Sequence, residues 1–287
     1  MIALCGSIVF SSLIFILFKL FPKFGIDTFQ AIVFNYFTAF ICGFAFYGHL
    51  WSDIALSDSG WMYAALLCGI LFISLFILMG KSSQINGVAI TSVAVKMSMA
   101  VSAIFIGFGE SFGVLKITGI VLAVVGVVLV SFDRSTSKKK PIVWMLLVLF
   151  FGSGLLDFLL NFVQKELLIN LDPALFSAIS FGLAGLFGII ILLGRLVKKK
   201  ICLLGKNIFA GICLGVPNFF SIYLLITAYS STGWSDSTVL AVVNVSIVIT
   251  SAILGFLAFK ENLSKQKLLG LVCSVIAIGL LYAANLR

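Results

Sequence analysis

Apolar residues fill this chain in long blocks, each closed by a short polar or glycine-bearing stretch. The blocks match the roughly 17–25 residues that a helix needs to cross a bilayer. Ten of them run over about residues 2–20, 29–48, 60–80, 87–108, 114–132, 142–163, 174–194, 207–227, 237–259 and 266–284. The pattern predicts an all-α, polytopic membrane protein with ten transmembrane helices. The connections are short and leave no room for a soluble domain, so function is expected within the bilayer or at its faces. The first block lacks a basic n-region and is read as a retained helix.

The polar punctuation recurs. Glu110, Lys116 and Gly119 reappear as Glu261, Lys267 and Gly270, each displaced by the same 151 residues. Asp27, before the second block, corresponds to Asp172 before the seventh, now at a displacement of 145. Ala39 and Gly43 then match Ala184 and Gly188. The longer connection Tyr229–Asp236, against the tight Lys81–Asn86, absorbs the difference. The chain therefore divides into residues 1–133, a basic connection over 134–141, and residues 142–287. Five crossings per half is an odd number, so the second half enters from the opposite face. That is an inverted repeat, common among secondary transporters.

Composition agrees with the pattern: 62% of residues are hydrophobic and 10% charged, with mean hydropathy +1.24. A net charge of +9 would suit nucleic acid on a soluble protein. Here Lys138, Lys139, Lys140, Lys198, Lys199 and Lys200 sit in connections beside membrane spans. They are topology signals, with contact to anionic lipid a secondary role, and no nucleic-acid partner is expected. Connections after odd-numbered spans hold fifteen Lys and Arg; the other side, with both termini, holds three (Lys116, Lys165 and Arg287). The positive-inside rule then places both termini outside the cytoplasm. The six cysteines show no metal-ligand spacing and read as packing residues. His49, near Trp51, reads as an interfacial anchor. Phosphate-loop, His-Glu-x-x-His and Cys-x-x-Cys motifs are absent, so no ATPase, metal site or cofactor is expected.

Polar residues inside the blocks carry the candidate chemistry. Lys96 lies mid-way along the fourth span, where a lysine costs roughly 3 kcal/mol on insertion scales. It must face protein or water and by default marks a functional site; the alternative is a structural ion pair. Asp157, in the sixth span, lies within about 7 Å of it in depth, taking 1.5 Å per residue. Asn161 shares the face of Asp157 one turn on. Gln164 is at that helix's end. Asn244 and Ser246 occupy the repeat positions of Val93 and Val95, beside Lys96. Asn35 and Tyr36 sit mid-way along the second span. Pro217 and Asn218 are expected to interrupt the eighth, with Tyr223 following. Asn35, Asn244 and Tyr223 are cavity-lining candidates, with plain helix-joining the alternative. Glu110 and Glu261 are read as structural, each closing a hairpin against Lys116 or Lys267, and are expected on opposite faces of the membrane.

The ten helices, the five-plus-five repeat and the glutamate-to-glycine pattern (Gly107-Phe-Gly-Glu110 with Gly119; Phe259-Lys-Glu261 with Gly270) resemble the drug/metabolite transporter superfamily, specifically its ten-helix EamA-like branch. The resemblance covers the whole chain. It implies a central cavity lined mainly by spans 1, 3, 4, 6, 8 and 9, and export or exchange of small metabolites, amino acids or drugs. The expected function is secondary transport of a small organic solute across the cytoplasmic (inner) membrane, with a carboxylate-bearing substrate favoured by Lys96. The alternative is an integral membrane enzyme or lipid scramblase acting on a lipid intermediate. An enzyme of that kind usually carries Asp, His or Arg clusters at the membrane face, and this chain shows none. Lys96 and Asp157 are expected to face the cavity within bridging distance, directly or through water.

Overall fold

In hydrocarbon every backbone polar group must be satisfied within its own segment, so each apolar block folds as a helix. The computed structural model describes residues 1–48, 60–106, 113–131, 142–163, 172–198, 203–234, 236–261 and 264–285. They form α1 (Ile2–Leu20), α2 (Thr28–Tyr47), α3 (Gly60–Ile85), α4 (Val88–Met97), α5 (Met99–Ile106), α6 (Val114–Ser131), α7 (Val143–Phe162), α8 (Pro173–Val197), α9 (Gly205–Ser231), α10 (Asp236–Phe259) and α11 (Lys265–Asn285). A 3-10 turn, Phe21–Phe24, joins α1 to α2. With α4 and α5 counted as one span, nine helical segments among the described residues are long and apolar enough to cross a membrane, and Val114–Val130 is a shorter apolar helix. The protein is an all-helical, polytopic membrane protein, and no strand occurs among the described residues.

Local chemistry sets the helix starts. Asp27 caps α2 by accepting the Gln30 N–H at 3.0 Å. Its repeat partner Asp172 caps α8 by accepting from Ala174 and Leu175 at 2.8 and 3.4 Å. Three boundaries differ from expectation. Lys81–Gln84 extend α3 rather than forming a connection, and only Asn86 and Gly87 turn the chain. Gln84 is held there by its amide, which donates to the Phe18 carbonyl and to Thr28 Oγ1 at 3.1 and 2.7 Å. Pro217 does not interrupt its span, since α9 runs continuously through it. The flanking turns of a long buried helix hold the backbone where one N–H is missing. The break falls instead at Ser98, between α4 and α5.

Packing displays the repeat. Gly119 of α6 lies against Leu281 of α11, and Gly270 of α11 lies against Val130 of α6. Both pairs are equivalent under the 151-residue displacement, so the contact is reciprocal, as a two-fold axis requires. α6 and α11 run antiparallel there, which puts the axis in the membrane plane. The same holds where Gly69 of α3 meets the Ser180 carbonyl and Gly215 of α9 meets the Asn35 carbonyl. Tyr36 and Phe181, equivalent at 145, meet at a tilt with ring centroids 5.8 Å apart. Glu110 lies outside the described residues, as do His49, Gln164, Lys165 and Arg287.

The basic face of the molecule, where α1, α3, α6, α8 and α10 end, is laced across the halves. Asn207 donates to Gln30 at 2.9 Å and accepts from the Asp27 N–H at 3.0 Å. Asn86 accepts the Ile142 N–H at 2.8 Å. Gln266 donates to the Leu129 carbonyl at 3.1 Å. Lys23 sits over the Phe259 ring, 5.2 Å from its centroid.

Candidate functional site

α4 has no lipid face. From Val88 to Met97 no residue is exposed, and the helix packs on α3, α6, α7 and α10. Lys96, near its end, is therefore half-buried inside the bundle, about 12 Å below the first residue of α4. Its helix presents no exposed residue to lipid.

Asp157 reaches the same region from α7. The exposed apolar residues of that helix, among them Trp144, Val148, Phe151 and Leu155, lie on one arc. Leu146, Leu149, Phe150 and Ser153 are buried on the opposite arc. At about 100° per residue, Asp157 falls roughly 130° from the centre of the lipid-facing stripe, on the protein-facing side. Yet Asp157 is itself exposed. The side chain is thus exposed on the arc of α7 that faces the protein, away from the lipid-facing stripe. Asn161, half-buried, follows one turn later on the edge of that arc.

Two features bring α7 to the broken span. Gly154 has no side chain, and a Cβ there would lie 2.8 Å from the Ser98 carbonyl oxygen and 2.5 Å from Val101 Cβ. Ser98 itself stands between the Val95 carbonyl (2.6 Å) and Asp157 Oδ2 (3.2 Å), with one hydroxyl proton for two acceptors. Its own carbonyl accepts from Val101 at 2.8 Å and Ser102 at 3.1 Å, a tightened turn that marks the discontinuity. Lys96 and Asp157 sense each other electrostatically. Lys19 and Glu261 form a direct ion pair at 3.4 Å, and no such contact between Lys96 and Asp157 is found among the described residues. The carboxylate thus retains acceptor capacity and the ammonium retains donors.

Asn244 of α10 closes on the same break from the other half. It is buried, and its amide donates to Met99 Sδ at 3.7 Å. The structure therefore assembles Lys96, Asp157 and Asn244 around residues 98–99, with Asn161 beside them. It places the other two candidates elsewhere. Tyr223 lies at a shallow crevice between α2, α8 and α9, with Tyr47, Phe181 and Phe219. Its ring stacks on Phe219 at 5.8 Å. Asn35 is fully buried in α2, and neither its amide nitrogen nor its oxygen has a partner. Ser98 and Met99 escaped notice in the sequence because a serine and a methionine in an apolar span are ordinary packing residues. The one available signal was their position two and three residues after Lys96.

Glu261 departs from expectation. Where a local hairpin against Lys267 was expected, it caps α4, 173 residues away in sequence. Its Oε1 accepts the Val88 N–H at 2.8 Å and its Oε2 the Ala89 N–H at 3.4 Å.

A model of the EamA-like transporter family matches residues 139–283. An uncharacterized protein of Haemophilus influenzae is 33% identical over 288 aligned residues, covering 96% of each chain. A solved crystal structure superposes with a TM-score of 0.57 at 11% identity, over 98% of this chain and 99% of that one. That last likeness concerns the fold alone.

Proposed function

We propose that this chain, which belongs to the EamA-like transporter family, moves a small carboxylate-bearing organic metabolite across the cytoplasmic membrane by alternating access. Its two halves, residues 1–133 and 142–287, rock about the pseudo-two-fold axis. The observation that carries the reading is Asp157, exposed yet on the inward arc of α7, beside a lysine on a helix with no exposed residue. Two opposite charges held apart around a broken helix are costly in a membrane. They are useful to a protein that must bind a charged group and release it. Lys96 provides the cation for a substrate carboxylate. Asn244 and Asn161 offer amides to its polar groups, and Asp157 competes with the substrate for the lysine.

Export or exchange is the direction we favour. The test is a thermal-shift screen of amino and organic acids on the purified protein, followed by flux of the hits into liposomes. A protein stabilised by carboxylates and moving none of them would overturn transport.

Protonation of Asp157 frees Lys96 for an anionic substrate and gives a route to proton coupling. Asp157→Asn mimics the protonated carboxyl. In that variant, substrate accumulation should no longer respond to an imposed pH gradient, while substrate exchange persists. Gradient-driven accumulation at the wild-type level would remove Asp157 from the coupling.

The basic face is taken as cytoplasmic, with anionic lipid at its lysines and both termini on the far side. A fluorescent reporter that matures only in the cytoplasm, fused after Arg287, should be dark. A periplasm-active phosphatase at the same point should be active, and the reverse pair of results would invert the topology.

A further inference from the structure

The Glu261 carboxylate occupies a built cradle. Lys260, with φ 51, turns the chain back at the end of α10, and the Glu261 N–H closes on the Gly255 carbonyl at 3.0 Å. A Cβ at Gly87 would lie within 2.8–2.9 Å of three atoms of the carboxylate group, and one at Gly255 would lie 2.7 Å from Oε2. Gly87 also has φ 104, a conformation that side chains with a Cβ rarely adopt. Two glycines from different halves thus make room for one carboxylate.

That carboxylate does two things. It satisfies the first two N–H groups of α4, where the helix dipole favours negative charge. It also meets Lys19 of α1 at 3.4 Å, and Lys19 in turn donates to the Gln84 carbonyl at 3.2 Å. α1 and α4 belong to the first half, and Glu261 to the second. The group lies at the basic face, at one end of the helix whose other end carries Lys96. Its members are not deeply sealed: the Lys19 side chain is 21% exposed and that of Glu261 15%.

We propose that Glu261 is a releasable latch that closes the basic face in this conformation. Its withdrawal from α4 opens the Lys96–Asp157 site to that face. The inference rests on the transport reading, because alternating access requires one face to seal while the other opens. Rocking the halves must break the contacts that bridge them at the closed face. Of those, Glu261 is the one that joins a charged pair to a helix end, so its loss tilts the equilibrium between the two states. A permanent brace would also hold α4, but it would not couple the two faces.

The coupling is what the test reads. Spin labels are placed on cysteine-free full-length protein in liposomes. One pair replaces Lys81 and Lys265 at the basic face; the other replaces Met62 and Trp234 at the opposite face. In Glu261→Gln, the longer basic-face distance should gain population by about tenfold, within the usual range of coupling between sites. The shorter opposite-face distance should gain population in the same proportion. No change at either face overturns the latch. Lengthening at the basic face alone also overturns it, since that is the signature of a merely structural cap. Lys19→Gln keeps the cap while removing the charge partner and its bond to the Gln84 carbonyl. It should shift both distances the same way to a smaller extent, and it decides the matter if Glu261→Gln does not fold. No substrate is needed, so a working latch in a protein that moves no carboxylate would separate this inference from the transport reading.

Discussion

Lys96→Met abolishes substrate flux in liposomes while the purified protein stays monodisperse and helical. Methionine keeps most of the volume and removes the charge. α4 is held by packing on α3, α6, α7 and α10, none of which needs the ammonium. No direct ion pair is lost either, because Lys96 and Asp157 do not touch. What is lost is the cation for the substrate carboxylate. Removing one partner of a buried charge pair costs about 2–5 kcal/mol. That corresponds to roughly thirty-fold to several thousand-fold weaker binding. The check is radiolabelled-substrate uptake alongside the melting temperature of the same preparation. Wild-type flux in the variant would leave Lys96 and Asp157 as packing and remove the site. Lys96→Arg separates charge from geometry: it keeps the cation, so residual flux above that of Lys96→Met is expected.

Gly211→Ala with Gly215→Ala separates α2 from α9 and destabilises the fold. A Cβ at Gly215 would lie 2.6 Å from the Asn35 carbonyl oxygen and 2.6 Å from Thr38 Cβ. One at Gly211 would lie 2.5 Å from Phe34 Cβ and 2.7 Å from the Ala31 carbonyl oxygen. These neighbours are backbone atoms or side-chain roots, so no rotamer change relieves the overlap. The helices must move apart, and small residues are what let membrane helices approach this closely. Each overpacking costs about 1–3 kcal/mol, and the pair shares one interface, so the two need not add. A fall in melting temperature of roughly 5–15 °C in detergent is expected. Gly279→Ala is the control. Nothing lies within 4 Å of its Cβ position, so it should change stability by less than about 0.5 kcal/mol. Equal melting temperatures for the double variant and the control would mean that α2 and α9 are not in close contact in the membrane.

The sequence by itself determined the spans, the inverted repeat and the two intramembrane charges. Hydrocarbon thickness fixes the length of each apolar block, and no water is available there to support any other backbone. The ends of α1, α2 and α10 therefore agree with the hydropathy pattern to within a residue or so. Lys96 and Asp157 were visible for the same reason, since a charge in an apolar block must have a cause. The repeat was visible because Glu261, Lys267 and Gly270 are rare residue types in register with Glu110, Lys116 and Gly119. The tertiary structure alone decided where the fourth span breaks, because the Ser98 turn depends on Gly154 letting α7 approach. It alone decided that Glu261 caps α4 rather than a local hairpin. It also turned Tyr223 into a crevice away from Lys96 and left Asn35 buried without a partner. Span boundaries answer to the solvent, which acts on each segment separately. The site and the latch answer to close approaches between helices from opposite halves, and no local pattern in the chain encodes those.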